Sequence, residues 1–365
     1  MNILILNWRD IKNPTGGGAE QLTHEMARRW VQNGHAVTQI SSLFPQGKRK
    51  ETIDGVKFVR MGKWWTVHVL AGFYYRRYLS KKTDIIIDEV HWFPFFSKVY
   101  ASKKTIALTC EVANKLLFTI FPFPIAGLFR IIEKFYLKLY KDVPTMVISE
   151  STKSDLIAHG HTKRDVIVLP MGFTKPTNLK QYKKEKTPTI IYLARLNKQK
   201  GIFDAVESVG FIKEQIQDIR LWVLGMGDKT VLDDLKKQIE QKDIYNNVTF
   251  FGFVSEDDKY RLLAKSHILI VPSAQEGWGL TVPEAGLVKT PTVAYNVLGL
   301  RDIIEDGISG KLVATHSKAL AKGVIDLLQN KKQYQLLQMG AMKRAHSFDW
   351  DKTGEVSLSF MKKYL

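Results

Sequence analysis

Two carboxylates, Glu276 and Glu284, bracket a glycine-rich turn, Gly277-Trp278-Gly279-Leu280, that separates a strand-like apolar run from a helix-like run. A carboxylate can accept hydrogen bonds from a vicinal diol, the group that ribose and hexoses both display. Eight helical steps of about 100° would turn the acids to different faces, so they pair only if Glu276 lies in the loop and Glu284 in the first helical turn. Pro283 favours this arrangement, because proline is common at the first helical position.

A second group is basic. Arg195 and Lys200 follow the predicted strand Thr189–Leu193. Ligands bind at the carboxyl ends of parallel strands, and an arginine fork together with a lysine charge could hold a diphosphate there. An ordinary basic loop would have the same sequence, so both interpretations stand at this point.

Three glycine turns also follow predicted strands. The run Gly16-Gly17-Gly18 could let backbone N–H groups approach an anion at a helix N-terminus. It is neither the Gly-x-Gly-x-x-Gly dinucleotide pattern nor a Gly-x-x-x-x-Gly-Lys phosphate loop. The turns that contain Gly225 and Phe253 could admit a nucleoside base to the backbone, although tight turns account for both equally well.

The rest of the chain alternates strand and helix patterns, which predicts an α/β fold with parallel sheets. The alternation restarts after a polar, lysine-rich stretch. This predicts two doubly wound, Rossmann-like domains at residues 1–174 and 189–345, joined by a linker at 175–188. A C-terminal helix, about 346–365, is a candidate to pack back on the first domain. The strand ends of the two domains are expected to face each other across a cleft.

The composition, with 45% hydrophobic and 25% charged residues among 365, is typical of a folded globular protein. The single cysteine, Cys110, rules out an internal disulfide and favours a reducing compartment such as the cytoplasm. The run Met1–Leu6 is predicted to be a strand and not a signal peptide. The longest apolar stretch, Leu116–Ile132, is interrupted by Arg130 and two prolines and is shorter than the roughly 20 residues of a spanning helix.

The formal charge of +18 is concentrated in the first half: residues 1–175 hold 26 Lys+Arg and 14 Asp+Glu, a net +12, against a net +6 in the remainder. Such a field attracts polyanions, although solvated surface lysines would give the same total. No nucleic-acid module is recognisable, so nucleic acid is not an expected partner. The stretch Phe118–Tyr140 interleaves aromatic with basic residues, which suggests docking on an anionic membrane unless it is a core helix.

Taken in order, these motifs resemble the retaining nucleotide-sugar glycosyltransferases of the GT-B fold, glycosyltransferase family 4 (group 1). The resemblance covers both halves of the chain and is strongest from about 189 to 315. The matching stretches are Gly16-Gly17-Gly18-Ala19-Glu20, Arg195-Leu196 with Lys200-Gly201, Glu276 to Glu284, and Gly299 to Gly307 with Gly310.

The resemblance implies that Arg195 and Lys200 bind the donor diphosphate and that Glu276 contacts the transferred sugar, these three forming the catalytic group. Glu284 would bind the ribose. The other donor contacts would come from Gly17, Gly18, Gly225, Phe253, Gly277, Trp278, Gly279 and Leu280. No metal or other cofactor is expected, since two cations and helix N-termini can stabilise the leaving diphosphate.

Two further stretches contain acidic residues, Cys110-Glu111 and Asp349-Trp350-Asp351. Relatives often carry a histidine after the strand that ends here at Thr109, where this chain has Cys110-Glu111. Glu111 and the nearby His91 are therefore the candidates for the acceptor or sugar side. Asp349-Trp350-Asp351 imitates a metal-binding Asp-x-Asp, but it lies in the tail and is predicted to be structural.

The resemblance implies transfer of a hexosyl residue from a UDP- or GDP-sugar to a hydroxyl acceptor with retention of anomeric configuration. The expected setting is glycan, glycolipid or lipid-linked saccharide synthesis, such as cell-envelope polysaccharide, by a cytoplasmic enzyme peripheral on the membrane face. Its expected partners are the nucleotide sugar, a saccharide or lipid-linked acceptor and an anionic membrane surface. The alternatives are a sugar-nucleotide epimerase or phosphorylase-like enzyme of the same architecture, and a non-catalytic nucleotide- or polyanion-binding protein.

Overall fold

The computed structural model of the chain describes residues 1–91, 93–101, 104–113, 117, 121–177, 179–274 and 276–365. These residues form two compact units. Unit 1 consists of Met1–Gly172 together with Asp349–Leu365, and unit 2 consists of Phe173–Phe348. The C-terminal segment therefore belongs to the unit that contains the N-terminus.

Unit 1 is built on an eight-stranded sheet in the order β3-β4-β2-β1-β5-β6-β7-β8. Neighbouring strands are parallel except for β3 and β4, which form an antiparallel hairpin at one edge. The hairpin turn is Asp54-Gly55, with φ of 49° and 80°, a combination that favours a tight primed turn. The predicted parallel sheet thus has one antiparallel edge strand. The strands are β1 Asn2–Leu6, β2 Ala36–Ser41, β3 Lys50–Ile53, β4 Val56–Arg60, β5 Ile85–Val90, β6 Thr105–Thr109, β7 Thr145–Val147 and β8 Val166–Val168.

The first and last helices of unit 1 pack against each other, although more than 300 residues separate them in the chain. The Trp30 indole N–H donates to the Ser357 hydroxyl at 3.0 Å, and Arg29 pairs with Asp351 at 2.7 Å. Asp349 caps the last helix through the Asp351 amide, so both acids of the tail have structural partners. The helices are α1 Gly18–Gln32, α2 Val67–Tyr74 continued by a π-helix Tyr75–Leu79, α3 Ser97–Ala101, α4 Phe123–Tyr140, α5 Glu150–Ala158 and, at the C-terminus, α13 Trp350–Lys362.

Unit 2 has a six-stranded sheet, every neighbouring pair of which is parallel, in the order β11-β10-β9-β12-β13-β14. The order reverses beside β9, so the loops after β9 and β12 lie next to each other. The strands are β9 Thr189–Leu193, β10 Arg220–Leu224, β11 Val248–Gly252, β12 Ile268–Val271, β13 Thr292–Tyr295 and β14 Gly310–Val313. The helices are α6 Ile202–Lys213, α7 Lys229–Gln241, α8 Glu256–Lys265, α9 Thr281–Leu287, α10 Leu300–Ile303, α11 Ser317–Gln329 and α12 Lys331–His346.

The segment 175–188, predicted as a linker, packs against unit 2 near its end. The Lys184 amine donates to the Ser266 carbonyl and to the Thr290 hydroxyl, both at 2.6 Å. The Glu185 amide donates to the Lys265 carbonyl at 2.9 Å. Burial lowers the pKa of Lys184 to about 7.

Membrane-spanning helices are absent from the described parts of unit 1 and unit 2, where no helix is both long and apolar enough to cross a bilayer. The aromatic and basic stretch Phe118–Tyr140 contains helix α4, which begins at Phe123. Residues 118–120, its predicted beginning, lie outside the described residues.

Candidate functional site

The carboxyl edge of the unit 2 sheet brings Lys200 and Glu276 together. Strands β9 and β12 are hydrogen-bonded neighbours, and the loops that follow them carry the lysine and the acid. The Lys200 Nζ lies 2.7 and 2.8 Å from the two carboxylate oxygens of Glu276, and the Ser273 hydroxyl donates to Oε1 at 2.7 Å. Two of the three predicted catalytic residues therefore form one half-buried ion pair.

The lysine loop is held in place by its own short side chains and by a glycine. Asn197 caps the 3₁₀ turn Lys198–Lys200, its side chain accepting the Lys200 amide at 2.9 Å. Gly201 has φ of +72°, and a Cβ added there would lie 1.9 Å from the Pro272 carbonyl oxygen. Only glycine allows the loop to pass this close to the end of β12.

The acid loop is fastened to its neighbours through the backbone. The Ala274 amide donates to the Gln199 carbonyl at 2.9 Å, which links it to the lysine loop. On the other side Gly299 has φ of +82°, and a Cβ there would lie 2.0 Å from the Glu276 carbonyl oxygen. The late glycine of the sequence motif is thus needed because the Glu276 backbone occupies the space of a side chain.

Tyr192, at the end of β9, supports the lysine loop from the core and was missed in the sequence. Its hydroxyl lies 3.2 Å from the Arg195 carbonyl oxygen and 3.1 Å from that of Lys200. Burial, together with the charge of Glu276, raises the pKa of the phenol. The tyrosine is therefore neutral and can donate one hydrogen bond to the loop. Its only sequence signal is its place as the penultimate residue of an apolar strand.

Arg195 lies in the same loop but is exposed. Within the ranges that the structure describes, its guanidinium forms no ion pair, unlike the ammonium of Lys200. The structure therefore does not bring Arg195 into the Lys200–Glu276 pair, and its charge is open to an anion from solvent.

Glu284 lies in the first turn of α9, as predicted, but the helix begins at Thr281 and not at Pro283. The proline is the third helical residue, where a missing N–H still costs no intrahelical hydrogen bond. The carboxylate is paired at 2.8 Å with Lys259 on α8, a partner that the sequence did not reveal. Burial raises the pKa of Glu284, although the attraction of Lys259 opposes the rise.

The glycine turns after β10 and β11 meet at the backbone. The Gly225 amide donates to the Gly252 carbonyl at 2.8 Å, and a Cβ on Gly225 would lie 1.9 Å from the Ala194 carbonyl oxygen. Phe253 is 86% exposed. Its ring is the exposed aromatic surface that a base could contact at this edge.

The four residues of the turn between Glu276 and Glu284 differ in their exposure to solvent. Gly277, Gly279 and Leu280 are partly exposed, and Gly279 has φ of +80°. Trp278 is buried, with its ring edge-on to Phe348 at 4.9 Å. Its side chain therefore belongs to the core of unit 2, which leaves only its backbone for a ligand. Residue 275 lies outside the described residues.

The glycine run of unit 1 is closed by a side chain of its own helix. Gly17 is the N-cap of α1, and its amide donates to Glu20 Oε2 at 2.6 Å. The other oxygen of Glu20 accepts from the Arg9 Nε at 2.7 Å. In this structure the Gly17 amide is thus already paired with a carboxylate, and its contact with a donor anion stays a prediction. Gly18 is the first residue of the helix.

A buried acid lies beside this turn. Glu89, in β5, is fully buried and accepts hydrogen bonds from the Asn7 amide and, at 2.6 Å, from the Thr23 hydroxyl. Its second oxygen has no hydrogen-bond partner among the described residues. Burial, with the charge of Glu20, raises the pKa of Glu89 well above the ordinary value. The structure therefore favours a protonated, neutral Glu89.

The predicted acceptor-side residues follow two strands of the same sheet. His91 Nε2 lies 3.5 Å from an Arg9 nitrogen, and burial with the Arg9 charge lowers the pKa of His91 to about 4. Glu111 is half-buried and follows the buried Cys110. Burial raises the pKa of the Cys110 thiol, and the negative charge of Glu111 adds to the rise. Both His91 and Cys110 are thus uncharged at neutral pH.

Sequence reasoning missed Asn7, Arg9, Thr23 and Glu89. Asn7 and Arg9 follow β1, and Glu89 lies near the end of β5. The strand-end rule that selected Arg195 would have found these three. Thr23 lies one turn into α1 and carried no signal of its own.

Residues 174–344 match the family glycosyl transferases group 1. The match covers nearly half of the chain and almost all of unit 2, the unit that carries the Lys200–Glu276 pair.

One curated relative is an uncharacterized glycosyltransferase of Methanocaldococcus jannaschii, 25% identical over 244 residues that make up 62% of each chain. The chain spans 62% or less of the length of the curated relatives compared with it.

Two solved structures show the fold. The sucrose-phosphate synthase of Thermosynechococcus elongatus superposes with a TM-score of 0.79 at 17% identity, covering 99% of this chain and 98% of its own. HepE of Anabaena, in complex with UDP-glucose, superposes with a TM-score of 0.71 at 16% identity over the whole of both chains. The predicted GT-B fold, two successive α/β domains with parallel sheets, is confirmed.

Proposed function

We propose that the protein is a retaining glycosyltransferase that moves a hexosyl residue from a nucleotide-diphosphate sugar to a hydroxyl group. The observation that carries the proposal is the Lys200–Glu276–Ser273 cluster at the strand ends of unit 2. The match of this unit to group 1 glycosyl transferases supports it. The complex of HepE with UDP-glucose supports a uridine donor, and a guanosine donor is the alternative.

The cluster contains the charges that the reaction needs. Breaking the bond between the sugar C1 and the diphosphate leaves negative charge on the diphosphate oxygen, which cations stabilise. Lys200 and the exposed Arg195 are placed to supply that stabilisation. When Lys200 turns to the diphosphate, Glu276 is released to accept hydrogen bonds from sugar hydroxyls. With two cations available, we propose that no metal is required.

Retention follows if the acceptor oxygen attacks C1 on the face that the diphosphate leaves. The new C1–O bond forms as the C1–O bond to the diphosphate breaks, and the acceptor proton passes to the departing diphosphate oxygen. Glu284 would hold the ribose by exchanging part of its pairing with Lys259. Gly225 and Phe253 would contact the base.

The acceptor is proposed to be a saccharide or a lipid-linked saccharide of a surface polysaccharide. We place the acceptor beside the predicted His91 and Glu111 of unit 1, where the neutral imidazole of His91 and the nearby Arg9–Glu20 ion pair offer hydrogen-bond partners to hydroxyl groups. The single cysteine favours a reducing compartment, which fits action at the cytoplasmic face of a membrane.

The test begins with the donor. Thermal shift with UDP, GDP and their hexose conjugates should single out one nucleotide, and the selected donor should then be cleaved when a glycoside acceptor is added. Proton NMR of the product should show the anomeric configuration of the donor. Return of an epimerised donor without acceptor, or dependence on inorganic phosphate, would replace the proposal with an epimerase or a phosphorylase.

A variant completes the test. Glu276→Ala should lower transfer by at least about a hundredfold while the protein stays folded. Asp326→Ala is the matched control, since Asp326 forms a similar ion pair with Lys311 at 2.9 Å elsewhere in unit 2. Transfer that survives Glu276→Ala, or the failure of every nucleotide sugar to bind, would overturn the proposed function.

A further inference from the structure

Unit 1 exposes apolar side chains in an uneven way. Of the 25 large hydrophobic residues exposed in the described parts of the chain, 10 lie in three helical segments of unit 1 and 2 lie in the turn just before the first of these segments. Phe73 is 66% exposed and Phe135 is 65% exposed. Single exposed apolar residues need no explanation, but concentrated ones mark an interaction surface. The twelve are Trp64, Trp65, Val69, Leu70, Phe73, Tyr78, Val99, Phe123, Ile125, Leu128, Ile131 and Phe135.

The three segments are continuous. The π-helix after α2 touches α3, where the Tyr75 and Tyr100 rings lie 5.6 Å apart. In turn α3 touches α4, where the Lys98 amine donates to the Leu139 carbonyl at 2.6 Å. We call the outward side of α2, α3 and α4 the aromatic face.

All three helices cover the same side of the sheet. The inner side of α2 packs on Leu4 and Ile86, and the inner side of α4 packs on Val90 and Ala107. Ile86 and Val90 are four residues apart in β5, so they point to the same side. The exposed residues therefore belong to one helical layer and not to opposite ends of the unit.

Basic residues accompany the aromatic face almost without acids. Residues 61–83 contain five Lys+Arg and no Asp or Glu. In α4 the basic residues are Arg130, Lys134 and Lys138, and the only acid, Glu133, is buried and paired with Arg130 at 2.6 Å. Exposed aromatic and aliphatic groups beside an excess of cations are what an anionic bilayer surface binds.

We propose that the aromatic face docks on an anionic membrane surface. The apolar side chains enter the region between headgroups and acyl chains while the lysines and arginines contact lipid phosphates. Charge complementarity selects this occupant over a second copy of the chain, because two such faces would bring like charges together.

The face also reaches the polar edge of unit 1. Trp64 lies 6.5 Å from Trp8 between ring centroids, and Trp8 lies 6.0 Å from His91. A docked unit 1 would hold its polar edge near the headgroup region, where a lipid-linked acceptor presents its sugar. This last step rests on the proposed function, whereas the docking itself does not.

The experiment is co-sedimentation of the full chain with vesicles. One set is phosphatidylcholine alone, and in the other about a third of the lipid is phosphatidylglycerol. Binding should favour the anionic vesicles and fall as salt rises. The double variant Phe73→Ser and Phe135→Ser should bind at least about tenfold more weakly.

The matched control is Leu336→Ser with Met339→Ser, two residues of α12 in unit 2 that are each 54% exposed. These substitutions should leave vesicle binding unchanged. Circular dichroism of both double variants should match the parent, since no substituted side chain is buried. Donor cleavage in lipid-free solution should also be unchanged, which separates failure of docking from failure of the proposed function.

Three results would overturn the proposal. One is equal binding to neutral and anionic vesicles, and another is equal loss of binding in the control variant. The third is a concentration-dependent dimer in sedimentation equilibrium that Phe73→Ser and Phe135→Ser dissolve, because the face would then be an interface between copies.

Discussion

In unit 2 the two acids at the strand ends each face a lysine, Glu276 with Lys200 and Glu284 with Lys259. In unit 1 the fully buried acid Glu89 accepts hydrogen bonds from an amide and a hydroxyl among the described residues, and its pKa is raised. The edge of unit 2 holds two ion pairs that can exchange partners, whereas the edge of unit 1 combines the Arg9–Glu20 ion pair with neutral polar groups. The first suits a charged diphosphate that arrives and leaves, and the second suits uncharged hydroxyl groups.

The two edges also differ in how their loops are fixed. In unit 2 close backbone approaches at Gly201 and Gly299 set the loops. In unit 1 a side chain, Glu20, closes the glycine turn by accepting from Gly17 and from Arg9. The close backbone contacts at Gly201 and Gly299 leave no room for a side chain. The Glu20 side chain, in contrast, can rotate away and free the Gly17 amide.

The largest effect on activity should come from removing one charge of the Lys200–Glu276 ion pair. Lys200→Met should lower donor cleavage about a hundredfold or more, because the diphosphate loses a cation and Glu276 loses its partner. The measurement is initial rate with the nucleotide sugar chosen by binding. Lys311→Met, which breaks an ion pair of similar length with Asp326, is the control and should change the rate little.

Gly201→Ala should destabilise unit 2 by about 3 kcal/mol, from left-handed strain and a clash with the Pro272 carbonyl. The free energy of unfolding of the variant and the parent is measured by urea denaturation. Gly34→Ala in unit 1 is the control, since Gly34 also has φ of +81° but a Cβ there meets no atom within 4 Å. It should cost about 1 kcal/mol. Equal losses would show that strain alone, and not the close approach, fixes the lysine loop.

Lys184 is the counterpart of Glu89, a half-buried cation of unit 2 that donates to a carbonyl and a hydroxyl. Its folded pKa of about 7 lies below the ordinary value of 10.5, so between these two values the unfolded chain binds more protons. Stability should therefore rise by about 2 kcal/mol between about pH 7 and pH 8.5, the lower part of this window. Lys184→Met should flatten the profile in urea unfolding, and an unchanged slope would contradict burial of the charge.

The smallest effect concerns Glu89. Because its folded pKa is raised, the stability it contributes is present at low pH and is lost as pH rises above the ordinary carboxyl range. Glu89→Gln mimics the neutral acid and should match the wild type at pH 5 but exceed it by about 1 kcal/mol at pH 8. If the variant were weaker at both values, Glu89 would be ionised, and the contrast between the two edges would disappear.

Local patterns were enough to predict much of this protein. The periodicity of apolar residues indicates which side chains of a strand or helix are buried. It correctly predicted β9, β12 and the helix that carries Glu284. Turn chemistry is equally local, and the Asp54-Gly55 hairpin could have been predicted in the same way. The strand-end rule placed Lys200 and Glu276 at one edge because parallel strands end together.

Only the tertiary structure decided which groups meet there. Strand order makes β9 adjacent to β12, which joins Lys200 to Glu276 across 76 positions. It also makes β1 adjacent to β5, which places Asn7 against Glu89 across 82 positions. Periodicity carries no information on strand order, so neither pairing can be derived from it. The same holds for pKa values, since burial and neighbouring charges are properties of the assembled unit.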